Sequence, residues 1–135
     1  MKIGNSVLML IARLIVGVVL IAHGWQKFNE WTISGTAENF AGMGVPLPEV
    51  SAVIAASVEL GGGILLIIGL LTRIVGVLVA LVMLGAVIFA EHFSAGVFVS
   101  DGGWELVGVI AAAGLAFAAA GAGTISVDKV LLGRK

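Results

Sequence analysis

Four long apolar stretches, separated by short polar segments, dominate the pattern of hydrophobic and polar positions along the chain. They cover about residues 6–25, 49–71, 73–90 and 104–120. A helix of about 20 apolar residues is long enough to cross the hydrocarbon core of a bilayer. An even number of spans with short turns favours antiparallel neighbours. The pattern therefore predicts an all-α, integral membrane antiparallel four-helix bundle that forms a single domain over residues 1–135.

The connections between the apolar stretches differ in length. Residues 31–48 form a long one, and its apolar members stand among polar neighbours; they are Trp31, Phe40 and Met43. This mixture predicts a short interfacial helix between helices 1 and 2, and Pro48 suits the first turn of the next span. The connection at residues 72–73 is very short, whereas residues 93–103 form a second polar loop with several helix breakers.

Composition supports a membrane environment. Of the 135 residues, 60% are hydrophobic and 11% are charged, whereas soluble domains carry about 25% charged residues. The net charge of −1 leaves no basic face for nucleic acid. Because the chain has no cysteine, it cannot supply ligands for an iron–sulfur cluster or form a disulfide.

The placement of Lys and Arg predicts the orientation, because cytoplasmic loops carry an excess of both. The basic residues on one side are Lys2, Arg73, Lys129, Arg134 and Lys135. Lys27 is the only base near the other side, so we expect both termini to be cytoplasmic. Arg13 interrupts the first apolar run and no small-residue cleavage site follows it, which predicts a retained helix rather than a signal peptide.

Two ionisable residues fall near the middle of predicted spans, Arg13 in the first and Glu59 in the second. Each costs about 2.5–3.5 kcal/mol on insertion scales, so each needs a partner or a task. Both lie on stripes of small residues that should face the bundle interior. One hypothesis is a buried structural ion pair, Arg13–Glu59, that fixes the helix register. The alternative makes Glu59 a handle for a proton or a ligand.

A second polar cluster is predicted at the outward ends of the helices. Its members are His23, Lys27, Glu91, His92 and Glu105. These side chains either anchor the helix ends at the interface or form a pocket that hydrogen-bonds a quinone or similar head group. Two histidines on different helices would permit a haem, but charged neighbours crowd them and nothing else in the sequence requires haem. We assign no metal site.

The order and spacing of several short motifs resemble the DoxX family of small membrane proteins over nearly the whole chain. The motifs are Arg13, Gly17, His23-Gly24 and Lys27; Gly44-Val45-Pro46; Val58-Glu59-Leu60 with Gly62-Gly63; Gly69-Leu70 before Thr72-Arg73; Met83; His92; and residues 121–128. The chain has Ala122 where that family's ending usually has proline. The resemblance implies an association with quinone-linked oxidoreductases, in which some members act as membrane anchors for other enzymes.

Three hypotheses about function follow. The first is an accessory or anchoring subunit of a quinone-linked respiratory or redox system in the bacterial inner membrane, with a quinone bound at the outward face. The second is a purely structural subunit of a larger membrane complex or a homo-oligomer. The third is a small-solute carrier that uses the charged residues Arg13 and Glu59.

Overall fold

Helices make up almost all of the computed structural model, which describes residues 1–90 and 94–133. The helices are α1 (Ile3–Trp25), α2 (Thr32–Gly42), α3 (Pro48–Ile68), α4 (Thr72–Phe89), α5 (Glu105–Ala120) and α6 (Val127–Leu132). A π-helical turn, Gln26–Glu30, continues α1, and a 3-10 turn, Val99–Asp101, precedes α5. No strand occurs in either described segment, so the predicted all-α class is confirmed.

Three of these helices are long and apolar enough to cross a bilayer. They are α1 with its π-turn (28 residues), α3 (21 residues) and α4 (18 residues). The fourth apolar helix, α5, has 16 residues, which at 1.5 Å per residue spans about 24 Å. Their outward-facing side chains are large and apolar, with Leu8, Ile64 and Leu81 among the exposed ones, as expected where lipid is the solvent.

Three helix ends differ from the predicted bounds by three residues or more, and one of them is the start of α1 at Ile3 rather than at about residue 6. The first helix does not stop at residue 25, because the π-turn carries helical backbone on to Glu30. The third helix stops at Ile68 rather than at residue 71, because Gly69 adopts a left-handed conformation (φ +75°) and ends it. Leu71 is also left-handed (φ +54°), which allows α4 to begin at Thr72.

Close helix–helix approaches at glycine fix how the helices pair. A Cβ atom added at Gly17 would lie 2.8 Å from the carbonyl oxygen of Gly63, and one added at Gly24 would overlap the backbone of Leu60. As the residue number rises along α1 it falls along α3, so these two helices run antiparallel. Gly76 of α4 and Gly114 of α5 make a similar backbone contact. Small residues allow such approaches where there is no hydrophobic driving force between helices.

One apolar core joins the four long helices. Its buried members are Leu20 of α1, Leu66 of α3, Val75, Val79 and Met83 of α4, and Ile110 and Phe117 of α5. The shorter helix α2 packs on α3 and on the π-turn. It therefore covers the end of α1 and α3 that lies away from the Gly69–Leu71 turn.

The segment after α5 folds back onto the ends of three helices. The Asp128 carboxylate accepts hydrogen bonds from the backbone N–H groups of Leu71 (2.7 Å) and Thr72 (3.0 Å). These are unpaired donors at the start of α4, where a carboxylate is favourable. The Ser6 hydroxyl oxygen accepts from the N–H of Thr124 (3.0 Å). The beginning of α1 and the C-terminal segment thus lie at the same end of the molecule.

Candidate functional site

A buried ion pair links α1 to α3. The ammonium nitrogen of Lys27 lies 2.8 Å from Oε2 of Glu59. Lys27 is 9% exposed and Glu59 is 4% exposed, so both charges are inside the protein. A distance of 2.8 Å is typical of a charge-assisted contact between an ammonium group and a carboxylate.

The π-turn positions Lys27. It continues α1 with an i→i+5 hydrogen bond from the N–H of Trp31 to the carbonyl oxygen of Gln26 (2.9 Å). The Thr36 hydroxyl, on α2, donates toward the carbonyl oxygens of Lys27 (3.2 Å) and Thr32 (2.8 Å). The Lys27 ammonium also lies 5.6 Å from the centre of the Trp31 ring, within the range of a cation–π contact. Single π-turns inside helices occur frequently at functional sites.

The close approach of α1 and α3 positions Glu59. The glycine contact between Gly24 and Leu60 brings the two backbones together, and Glu59 immediately precedes Leu60. Lys27 follows Gly24 by three residues and therefore lies nearly one turn further along the same face of the helix. The glycine sets the register, and the register brings the two charges together.

A cavity of roughly 390 Å³ opens beside this ion pair. That volume is within the range of small-molecule sites, about 300–1,000 Å³. Its walls come from the π-turn, from α2 and the connection after it, and from α3 and α4. Apart from the ion pair, the lining residues are Phe40, Met43, Val45, Pro46, Ser51, Ile54, Ala55, Val58, Leu78, Leu81, Val82, Gly85, Ala86, Phe89 and Ala90. Among the described residues, two charged groups thus lie in a wall that is otherwise almost entirely apolar.

The structure describes three residues of the predicted outward cluster: His23, Lys27 and Glu105. Lys27 lines the cavity, but His23 and Glu105 do not. Nδ1 of His23 lies 2.9 Å from the carbonyl oxygen of Val19, one turn earlier in its own helix. Glu105 begins α5, where its N–H donates to the carbonyl oxygen of Val97. Glu91 and His92 lie outside the described residues.

The structure corrects the predicted ion pair between Arg13 and Glu59. Glu59 pairs with Lys27, and Arg13 has other partners. Nη1 of Arg13 donates to the carbonyl oxygens of Leu66 (3.1 Å) and Ile67 (3.4 Å), and Nη2 donates to that of Ile125 (2.5 Å). The carbonyls in the last turn of a helix have no partner within the helix, so the buried guanidinium satisfies the end of α3. Arg13 is level with residues 66–67, which places it about 11 Å from Glu59 along α3.

Sequence reasoning placed Lys27 outside the membrane and so missed its pairing with Glu59. A usable signal was the seven-residue spacing of Gly17 and Gly24 on α1, facing Gly63 on α3. Lys27 continues the helix face of Gly17 and Gly24, so a helix that extends past residue 25 turns Lys27 toward α3, the helix that carries Glu59. The contribution of α2 to the cavity had no comparable signal, because the fold-back of a short helix depends on tertiary packing.

Comparisons with known proteins agree with the resemblance seen in the motifs. The DoxX family profile matches residues 8–92. A Bacillus subtilis (strain 168) protein named "Putative oxidoreductase CatD" is 44% identical over 79 residues, which are 58% of this chain and 56% of that protein. The chain thus spans only a little over half the length of that relative. No solved structure gives a significant match.

Two Escherichia coli (strain K12) relatives are covered more fully. "Inner membrane protein YphA" is 34% identical over 139 aligned residues, which cover 93% of this chain and 91% of that protein. "Inner membrane protein YqjF" is 34% identical over 98 residues, 72% of each chain. The matched segment 8–92 includes the ion pair and every residue that lines the cavity. The chain is therefore a membrane protein that belongs to the DoxX family.

Proposed function

We propose that this protein is an accessory or anchoring subunit of a quinone-linked redox system and that the cavity beside Lys27 and Glu59 holds the quinone head group. One observation carries the proposal: a buried pair of opposite charges lies in the wall of an otherwise apolar cavity of roughly 390 Å³. Ligand sites typically combine an apolar lining with a few convergent polar groups. Ile54 and Leu81 line the cavity and are exposed on the outer surface, where a lipid-soluble ligand would arrive.

The two charged groups match the two redox forms of a quinone. Lys27 carries three N–H donors, and a quinone carbonyl accepts hydrogen bonds. Glu59, when ionised, only accepts, and a quinol hydroxyl donates. A carboxylate offers about four lone-pair sites on its two oxygens, so Glu59 can accept a ligand hydroxyl while it stays paired with Lys27.

This assignment moves the proposed head-group site away from His23 and Glu105 and toward α2 and α4. Glu91 and His92 directly follow Ala90, which lines the cavity. We keep those two residues as candidates for the site, and histidine there could exchange protons near neutral pH.

Electron transfer itself is assigned to a partner. The chain has no cysteine, and its Bacillus subtilis relative carries the name "Putative oxidoreductase CatD". A subunit that holds quinone beside a soluble or membrane redox enzyme accounts for both facts. In this role the four apolar helices form an antiparallel bundle with both termini in the cytoplasm. The contact between Ser6 and Thr124 supports a shared side for the two ends.

Fluorescence of Trp31 offers a local test of quinone binding. Trp31 lies beside Lys27, so a quinone in the cavity should quench it. We would replace Trp25 and Trp104 by Phe and titrate the detergent-solubilised protein with ubiquinone-1 and menadione. Saturable quenching that weakens at least tenfold in Glu59→Gln and in Lys27→Met is expected, while Glu38→Gln, an exposed carboxylate on α2, keeps the original Kd. Absence of saturable quenching, or equal Kd values in all variants, would overturn the proposal.

A second measurement tests the accessory role. Extraction in a mild detergent, followed by native mass measurement, should recover the protein with a further subunit. Recovery only as a monomer or a homodimer, from membranes in which the redox enzyme is intact, would contradict that role while leaving quinone binding to the fluorescence test.

A further inference from the structure

A second depression lies between α3 and α4, the two helices that also contribute to the wall of the cavity beside Lys27 and Glu59. It has a volume of roughly 230 Å³, and its walls are Ser57, Val58, Gly61, Gly62 and Leu65 of α3 with Val75 and Leu78 of α4. Val58 and Leu78 line both this groove and the cavity beside Lys27 and Glu59. The two spaces therefore adjoin at these two side chains, and we refer to the two spaces together as the slot.

Two adjacent glycines have opposite roles in this groove. A Cβ atom added at Gly62 would lie 3.3 Å from Cγ1 of Val75, so Gly62 faces α4 at close range. A Cβ atom added at Gly61 would meet no atom within 4 Å. Helix packing accounts for Gly62, whereas the missing side chain at Gly61 leaves space that the protein itself does not fill.

The direction of the slot matches a ligand that is polar at one end only. Its polar end is the Lys27–Glu59 pair, beneath α2. From Glu59 the groove runs to Leu65, about 9 Å along the helix axis at 1.5 Å per residue, toward the turn that joins α3 and α4. Every groove-lining side chain except that of Ser57 is apolar.

We propose that this groove holds the apolar tail of the quinone whose head group lies beside Lys27 and Glu59. The inference rests on the proposed function and adds that the protein recognises the tail as well as the head. Lipid chains around the protein are as apolar as the groove, so a gain in affinity comes from packing against Gly61, Val58 and Leu78 rather than from leaving water. The expected effect is accordingly modest.

The test fills the groove and compares a ligand that has a tail with one that has none. We would measure Kd for ubiquinone-2 and for tail-free ubiquinone-0 in wild type and in Gly61→Leu. The ratio of the two Kd values for one ligand is independent of how that ligand partitions into detergent. Gly61→Leu should weaken ubiquinone-2 binding about tenfold, equivalent to about 1.4 kcal/mol, and leave ubiquinone-0 binding unchanged. Gly4→Leu, at another open glycine of a long helix, should change neither value.

The outcomes distinguish a failure of this inference from a failure of the proposed function. If both quinones bind wild type and Gly61→Leu affects them equally or not at all, the tail lies elsewhere and the head-group site stands. If neither quinone binds wild type, both proposals fall. Ser57→Leu fills the same groove from a neighbouring position, so it replaces Gly61→Leu in the measurement if that variant does not fold.

Discussion

Lys27 and Glu59, 32 positions apart in the sequence, place opposite charges 2.8 Å from each other inside the helix pair α1 and α3. Each is the counter-charge that makes the burial of the other tolerable. The pair depends on helical backbone that continues past residue 25, because only the π-turn Gln26–Glu30 carries Lys27 along the face of α3. A structural feature at the end of α1 thereby determines the chemistry of the cavity.

Glu59→Gln should destabilise the protein, since it leaves the Lys27 ammonium buried without a counter-charge. Breaking a buried ion pair by removing one partner costs about 3–5 kcal/mol. Replacing both partners in Lys27→Met with Glu59→Leu should recover most of that loss, because well-packed apolar residues can substitute for a buried pair. Thermal unfolding in detergent, followed by circular dichroism, gives the comparison.

Glu38→Gln is the matched control for this substitution, since Glu38 is an exposed carboxylate. It should change stability by no more than about 0.5 kcal/mol, as is usual for surface positions. If Glu59→Gln were as stable as Glu38→Gln, the ion pair would not exist as the structure has it.

Gly24→Ala should separate α1 from α3. The added methyl group would overlap the backbone of Leu60, and overpacking of this kind costs about 1–3 kcal/mol. Gly4→Ala is the control, because Gly4 belongs to the same helix and a Cβ atom there meets nothing within 4 Å. In helices, alanine is favoured over glycine by about 1 kcal/mol, so Gly4→Ala should be neutral or stabilising. Unfolding midpoints that shift together in the two variants would show that the contact at Gly24 is not tight.

The helices were predictable because their signal is strong and local. Long apolar runs identify spans wherever lipid is the solvent, and the all-α class and the family resemblance were both confirmed. The ends were less predictable. The left-handed conformations at Gly69 and Leu71 shorten the third helix, and the π-turn lengthens the first. Neither follows from hydropathy alone.

Pairing inside the molecule was harder to predict, since it depends on helix register. Counting residues from the presumed membrane surface placed Arg13 near Glu59, and the structure gives Arg13 to the carbonyl oxygens that end α3 instead. Asp128 shows the same difficulty. In sequence it is a polar residue near the C-terminus, yet its carboxylate caps the start of α4, and only the fold-back of the final segment brings them together.

Arg13→Lys should destabilise the protein even though the charge is kept. The guanidinium donates to three carbonyl oxygens from two parts of the chain, and a lysine ammonium cannot reproduce that fork. Each hydrogen bond that involves a charged group contributes about 1.5–3 kcal/mol, so the loss should be of that order. Because one of the bonds holds Ile125, limited proteolysis should also cut the segment after Ala120 sooner.

Arg73→Lys provides the comparison for Arg13→Lys. Arg73 donates to the carbonyl oxygens of Ala118, Ala119 and Ala120 at the end of α5, but it does so at an exposed position. Lysine and water can replace those bonds, so stability should change by about 0.5 kcal/mol or less. Equal losses of stability in Arg13→Lys and Arg73→Lys would mean that the burial of Arg13 contributes nothing to stability.

The orientation in the membrane can be tested directly because the chain has no cysteine of its own. Single cysteines at Ser34, in α2, and at Val130, in α6, replace exposed residues. In the proposed orientation, which rests on the excess of Lys and Arg beside α6 and the α3–α4 turn, that end faces the cytoplasm. A membrane-impermeant maleimide should therefore label Ser34→Cys in intact spheroplasts and Val130→Cys only after lysis. The reverse pattern would invert the proposed orientation and move the cavity to the cytoplasmic side. Labelling of both variants before lysis would mean that α2 and α6 lie on the same side, which would contradict a bundle in which three spans, α3, α4 and α5, separate them.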